Sequence, residues 1–200
     1  MTKTISIRED VHNLRKQRIL DVASDLFYEN GYNGARIDQI ADRLGVTKPF
    51  IYYHFKSKAD ILAEVCGRTT AIVAGIAETS ADTEGPVEQR LHELVRQLAL
   101  EITKGHKYLA VYFREEKHLP EKAAKKLSLD RRRFNDAIAR LLREGQASGA
   151  FQVPSVSIVT QAITGMCTWI FNWYRPTGSL SAEGVADMMA DLALSMVRPA

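Results

Sequence analysis

Cysteine is nearly absent. Cys66 and Cys167 are the only two in 200 residues, far apart, with no CxxC pair and no histidine cluster beside either to complete a zinc site. They predict reduced cytoplasmic thiols, not a disulfide framework or a metal centre. An apolar leader is missing as well: MTKTISIREDVHNLRKQR contains no hydrophobic run, so no secretory signal is expected. GxSxG, HExxH, the Walker loop and GxGxxG do not occur, and the five histidines are scattered, which removes the usual sequence routes to an enzyme or to a bound cofactor. No segment alternates with period two and none is low in complexity.

Charge is missing in one place only. After Arg143 no Lys or Arg recurs until Arg175, and residues 150–174, AFQVPSVSIVTQAITGMCTWIFNWY, carry no charged side chain. The stretch is long enough to span a bilayer. Gln152, Ser155, Thr160, Gln161, Asn172 and Pro154 fit a helix buried inside a helical protein better, and no membrane partner is expected. The net charge, +3 from 27 basic and 24 acidic residues, is too small to announce nucleic acid by itself. The crowding of basic residues before Arg143 is more telling.

What is present is helical periodicity. Ile19, Ala23, Leu26 and Phe27 form one stripe; Ile37, Ile40, Ala41 and Leu44 another; Ile61, Leu62, Val65, Ile72, Val73 and Ile76 a third. Similar stripes run through Leu91–Ile102, Leu127–Leu142 and Val185–Met196. NGYNG at 30–34 closes the first helix, SKAD at 57–60 is a capping box, TEGP at 83–86 is a link, and GQASGAF at 145–151 ends a long helix. The fold class is all-α, about nine helices, the first three short. A change in character at Lys58 suggests a helix-turn-helix domain over 1–57 and a ligand-binding and dimerisation domain over 58–200.

The segment IDQIADRLGVTKPFIYYHF (37–55) reads as a helix-turn-helix. Gly45 permits the left-handed turn, Thr47 is placed to cap the second helix, and Pro49 sits in its first turn, where a missing N–H costs little. Ile51 and Phe55, four apart, pack inward. Thr47, Lys48, Phe50, Tyr52, Tyr53 and His54 are left outward, and exposed aromatic clusters mark partner sites. In a major groove Lys48 can donate to guanine, Phe50 can touch a thymine methyl, and the tyrosine hydroxyls and His54 can reach phosphates.

Residues 19–62, ILDVASDLFYENGYNGARIDQIADRLGVTKPFIYYHFKSKADIL, resemble the DNA-binding domain of the tetracycline-repressor (TetR) family. The resemblance implies a bacterial transcriptional regulator, usually a repressor, that binds a palindromic double-stranded operator as a homodimer and releases it when a small effector enters the C-terminal domain. It implies base contacts from Thr47, Lys48, Pro49 and Phe50 and phosphate contacts from Tyr52, Tyr53, His54 and Lys58. Ala35 and Arg36 replace the hydroxyl pair common in the family, so Arg36 is a further phosphate candidate. Lys3 and Arg8 are either a minor-groove arm or a loose tail.

TWIFNWYRPTGSLS (168–181) and REGQASGAF (143–151) resemble members of that family that respond to acyl-CoA thioesters in fatty-acid and steroid catabolism. The implied effector is a long-chain or ring-bearing acyl-CoA, bound by an apolar tunnel with a cationic mouth. Tyr108, Tyr112, Phe113, Phe134, Met166, Trp169 and Trp173 are candidates for the tunnel; Arg131, Arg132, Arg140 and Arg175 for the mouth. An aromatic or cationic drug between Trp169, Phe113 and Tyr112, or a module that recruits a protein partner, are the alternative readings. The helices near 155–174 and 182–197 are expected to pair with their copies in a four-helix bundle.

Overall fold

The computed structural model describes residues 7–198, and among them every regular element is a helix. Three helices form the N-terminal unit: α1 (Ile7–Gly34), α2 (Ile37–Leu44) and α3 (Lys48–His54). They are followed by α4 (Lys58–Asp82), α5 (Val87–Lys104), α6 (His106–Glu115), a 3₁₀ turn (Glu116–His118) and α7 (Glu121–Ser148). The chain ends with α8 (Val156–Thr168), α9 (Ile170–Trp173) and α10 (Ala182–Ser195). Trp169 keeps helical angles between α8 and α9, so counting those two as one gives the expected nine. None of these helices is long and apolar enough to cross a membrane.

The first helix is not short. It runs 28 residues, with a kink at Gly31 (φ 69°). Its first half carries no apolar stripe, and Val11 and Leu14 are exposed there. Arg, Lys, Gln and Leu sustain a helix by propensity alone, which periodicity cannot reveal. Arg8 falls in this helix, and Lys3 lies outside the described residues.

The apolar stripes pack as their spacing demands. Ile19, Leu26, Phe27, Ile40, Ile51 and Ile61 are all at most 1% exposed, so one small core joins α1, α2, α3 and the start of α4. In the larger unit α5 is central: it packs against α4, α7, α8 and α10 and buries Leu91, Leu94, Val95, Leu98 and Ile102. Gly145 of α7 is there for space. A Cβ at that position would stand 2.0 Å from the ring of Phe151, a residue buried as the chain turns back from α7.

The uncharged segment is only half buried in the single chain. Val159, Thr160, Ile163 and Cys167 of α8 face inward, whereas Ile158 and Trp169 are 68% and 58% exposed. On α10, Val185, Ala186, Ala190 and Ala193 pack inward, and Met188 and Leu192, with Met196 just past its end, are exposed. Burial inside the protomer therefore does not explain why this stretch lacks charge.

Candidate DNA interface and effector cavity

Gly45 ends α2 with φ 65° and ψ 33°. The N–H of Val46 donates to the Ala41 carbonyl at 3.0 Å and that of Gly45 to the Asp42 carbonyl at 3.1 Å, the double closure by which a left-handed residue ends a helix and turns the chain sharply. Thr47 is the N-cap of α3, but its hydroxyl makes no capping bond; its carbonyl accepts from the N–H of Phe50 at 3.0 Å. At α2 the missing hydroxyl cap is replaced from the other side, since the Arg36 N–H donates to the Gln39 side chain at 2.8 Å.

With Ile51 and Phe55 buried, α3 presents Thr47, Lys48, Pro49, Tyr52 and Tyr53 to solvent, with Arg36 exposed beside it. Lys48 reaches back to Asp38 of α2 at 3.0 Å, and this hydrogen bond raises its pKa. The pairing pre-orients the ammonium at the exposed edge of the motif. Two expected phosphate contacts are used otherwise. His54 packs against the rings of His12, Phe50 and Tyr53 at 4.6–5.1 Å, with both ring nitrogens buried and unpartnered. Burial first, and then the nearby His12, Arg15 and Lys16 charges, push its pKa down, and with both nitrogens enclosed it offers no exposed donor to a phosphate in this conformation. Lys58 donates to the carbonyls of Tyr32 at 2.8 Å and Ala35 at 3.0 Å and lies 4.3 Å over the Tyr32 ring. It ties the turn between α1 and α2 to the start of α4.

The structure adds basic residues that sequence reading missed. Arg15 and Arg18 of α1 are exposed and, with Leu44, Val46 and Phe50, line a groove of about 310 Å³ beside the recognition helix. The Arg15 guanidinium stands 6.0 Å from the Phe50 ring. The run NLRKQR is the available signal, but it precedes the first apolar stripe, where periodicity marks no helix.

A second concave site lies between α4, α6, α7 and α8, a cavity of about 120 Å³. Helix α4 contributes Thr69, Thr70 and Val73, and α6 contributes Leu109, Tyr112 and Phe113. From α7 come Asp130, Arg131 and Phe134, and from α8 Thr164 and Thr168. Phe113 and Arg131 line it while remaining exposed, so it opens to solvent on their side. Burial raises the pKa of Tyr112, a rise that the nearby Arg131 charge partly offsets, and the phenol stays neutral at physiological pH.

The same α6 that walls the cavity holds α1. Lys107 pairs with Asp25 at 2.5 Å, Tyr108 bonds to both Asp21 and Arg68, and Arg114 donates to the carbonyls of Phe27 and Tyr28. The cavity and the first helix of the N-terminal unit are thus joined by one ten-residue helix.

The family model for bacterial regulatory proteins of the tetR family matches residues 19–65, and that for the tetracyclin repressor-like C-terminal domain matches residues 84–197, more than half of the chain. The chain belongs to the TetR family. It is 27% identical over 193 residues to the HTH-type transcriptional repressor KstR2 of Mycolicibacterium smegmatis, covering 90% of this chain and 89% of that protein. The TetR-family regulator PfmR from Thermus thermophilus superposes with a TM-score of 0.82 at 28% identity, over 89% of this chain and 97% of that one. The same fold is found in AibR, solved in complex with isovaleryl coenzyme A and operator DNA, with a TM-score of 0.76 at 22% identity over 89% and 97% of the two chains. TetR-family members are DNA-binding regulators rather than enzymes.

In this TetR-family chain four of the expected effector residues, Tyr112, Phe113, Arg131 and Phe134, line the cavity. The others do not. Tyr108 is engaged with α1 and α4, and Arg175 donates to the carbonyls of Asn172 and Tyr174. Trp173 is 39% exposed and Met166 half-buried, and neither lines the cavity. Arg140 pairs with Asp82, and Arg132 is exposed without lining the cavity. Trp169 reaches the site indirectly: its ring meets Phe171 at 5.7 Å, and Phe171 stacks on Phe113 at 5.1 Å. Asp130 and the four threonines were missed. Asp130 stands between Leu127 and Phe134 on the buried stripe of α7, and an acid on an apolar stripe was the overlooked signal.

Proposed function

We propose that this chain is a homodimeric repressor that binds a palindromic operator and is released by a CoA thioester whose acyl group enters the α4–α6–α7–α8 cavity. The carrying observation is α6, which has Tyr112 and Phe113 in the cavity wall and Lys107, Tyr108 and Arg114 fastened to α1. A ligand that displaces the first pair pulls on the helix that supports the recognition element. Two recognition helices of a dimer must meet major grooves about 34–36 Å apart, and a small rotation of each α1 spoils that spacing.

The dimer reading rests on the outward apolar faces of α8 and α10, where Ile158, Trp169, Met188 and Leu192 lie uncovered; symmetric pairing of such faces is the common solution. Residues 1–57 then serve DNA and 58–200 serve effector and partner, in the cytoplasm where the operator is. KstR2, similar over nearly the whole chain, is named a repressor, and AibR was solved with a short-chain acyl-CoA. About 120 Å³ is less than the roughly 300–1,000 Å³ of a site that encloses a drug-sized ligand. It suits a short acyl group, with the CoA arm outside past Arg131, and not the long-chain or ring-bearing group that the sequence suggests.

The test is release from DNA. A duplex selected from random sequence is bound by the protein and titrated with isovaleryl-CoA, CoA and isovalerate, followed by fluorescence anisotropy. Release by the thioester at concentrations where acid and CoA leave the complex intact is expected. Equal potency of acid and thioester removes the CoA reading, and failure to select any palindrome removes the repressor reading.

A further inference from the structure

The cavity is mostly apolar, yet Asp130 lines it with its side chain 6% exposed. Its Oδ1 accepts from Arg133 at 3.2 Å. Its Oδ2 is buried with no hydrogen-bond partner among the described residues. A buried carboxylate oxygen left unpaired is destabilising to keep, and packing of α7 does not require it, since Leu127, Phe134 and Ile138 already supply the apolar stripe.

The neighbouring wall is rich in acceptors. The Thr70 hydroxyl donates to the Gly67 carbonyl, that of Thr164 to the Asn135 side chain, and that of Thr168 to the Thr164 carbonyl. Each of these three hydroxyls has given up its one proton and keeps only lone pairs for a ligand. A ligand that completes this wall must bring a donor to Asp130.

Charge decides which donor. Arg133 is paired with Asp130 and with Glu78 at 2.6 Å, and Arg131 lines the same cavity. An ammonium group brought to Asp130 would meet two guanidinium groups. A neutral hydroxyl meets no such repulsion and can accept a bond as well as donate one.

We infer that the effector carries a hydroxyl group on its acyl portion, which donates to Asp130 Oδ2 and makes Asp130 a specificity-determining residue of the cavity. The inference rests on the effector reading above for the location of the site and adds the class of ligand, a short hydroxyacyl thioester in place of a saturated one. A site built around an unpaired hydrogen-bonding group rejects the analogue that lacks the matching group more strongly than it rejects a change of one methylene.

Calorimetric titration of the full-length protein with butyryl-CoA and with 2-, 3- and 4-hydroxybutyryl-CoA tests this. At least one hydroxy isomer should bind about tenfold tighter than butyryl-CoA, the scale of a hydrogen bond to a charged group. That advantage should vanish in Asp130→Leu, while butyryl-CoA still binds. Asp130→Asn, which keeps the shape of the site, should reduce it several-fold, and operator binding without ligand reports that each variant is folded. Butyrate and the hydroxybutyrates are titrated in parallel. If no thioester binds but a hydroxy acid outbinds butyrate, and Asp130→Leu or Asp130→Asn removes the difference, the CoA reading falls and the hydroxyl inference stands. No binding by any of these compounds, no preference for a hydroxy isomer, or a preference that survives in both variants overturns it.

Discussion

Lys58 separates two accounts of the same residue by their magnitudes. As a phosphate contact it contributes to DNA affinity and nothing to folding. In the structure its ammonium is half-buried, donating to the carbonyls of Tyr32 and Ala35 with the Tyr32 ring 4.3 Å away. Lys58→Met keeps the stem and removes three donors. Two carbonyls at the α1–α2 turn lose their charged donor, at about 1 kcal/mol each after discounting for partial exposure, and the contact with the ring is worth about 0.5–1 kcal/mol. The expected loss is therefore about 2–3 kcal/mol, or roughly 4–12 °C in Tm for a chain of this length. Denaturant unfolding at fixed protomer concentration measures it, because the apparent stability of any oligomer varies with concentration. The salt dependence of operator binding should keep its slope, since no phosphate contact is lost. An unchanged unfolding midpoint, together with a slope reduced by about one counterion, would refute the structural account and restore the phosphate contact.

Three further outcomes follow from the packing. Gly145→Ala places a methyl 2.0 Å from the Phe151 ring and should cost about 1–3 kcal/mol, read as a lower Tm; an unchanged Tm means that the ring turns away freely. His54 has a pKa depressed in the folded state, so the unfolded chain binds more protons and stability should fall as pH drops below about 6.5. The groups around it are His12, Phe50, Tyr53, Arg15 and Lys16, and His54→Phe should flatten the acid limb of a Tm–pH profile; an acid limb unchanged in that variant refutes the assignment. Leu192→Glu puts a charge on the outward face of α10, which the proposed homodimer would bury unpaired at a cost of several kcal/mol; light scattering should show a dimer for the parent chain and a monomer for the variant, and a variant as dimeric as the parent places the interface elsewhere.

Sequence by itself determined the features whose causes are local. Gly45, Pro49 and the Ile51–Phe55 pair lie within eleven residues of one another, and the turn, the start of α3 and its inward face follow from backbone angles and a spacing of four. The same holds for the Ser57 cap, whose hydroxyl accepts the Asp60 N–H at 3.1 Å, and for the start of α4 at Lys58. Periodicity also identified Leu91, Leu94, Val95 and Leu98 as buried, since a helix stripe that wide must be covered.

Only the tertiary structure decided what each face meets. Lys58 finds carbonyls 23 and 26 residues away, and no count along the helix reveals whether an ammonium at its end meets a phosphate or a turn. Trp169 belongs to a segment dense in aromatics, yet it is 58% exposed at the end of α8, whose inner face is filled by Val159, Ile163 and Cys167. Asp130 shares the stripe of Leu127 and Phe134 and becomes a cavity wall because α4, α6 and α8 stop short of closing over it. Spacing dictates which residues share a face. Whether that face meets core, solvent or a ligand depends on helices distant in sequence, whose approach is fixed only by side-chain packing across all of them.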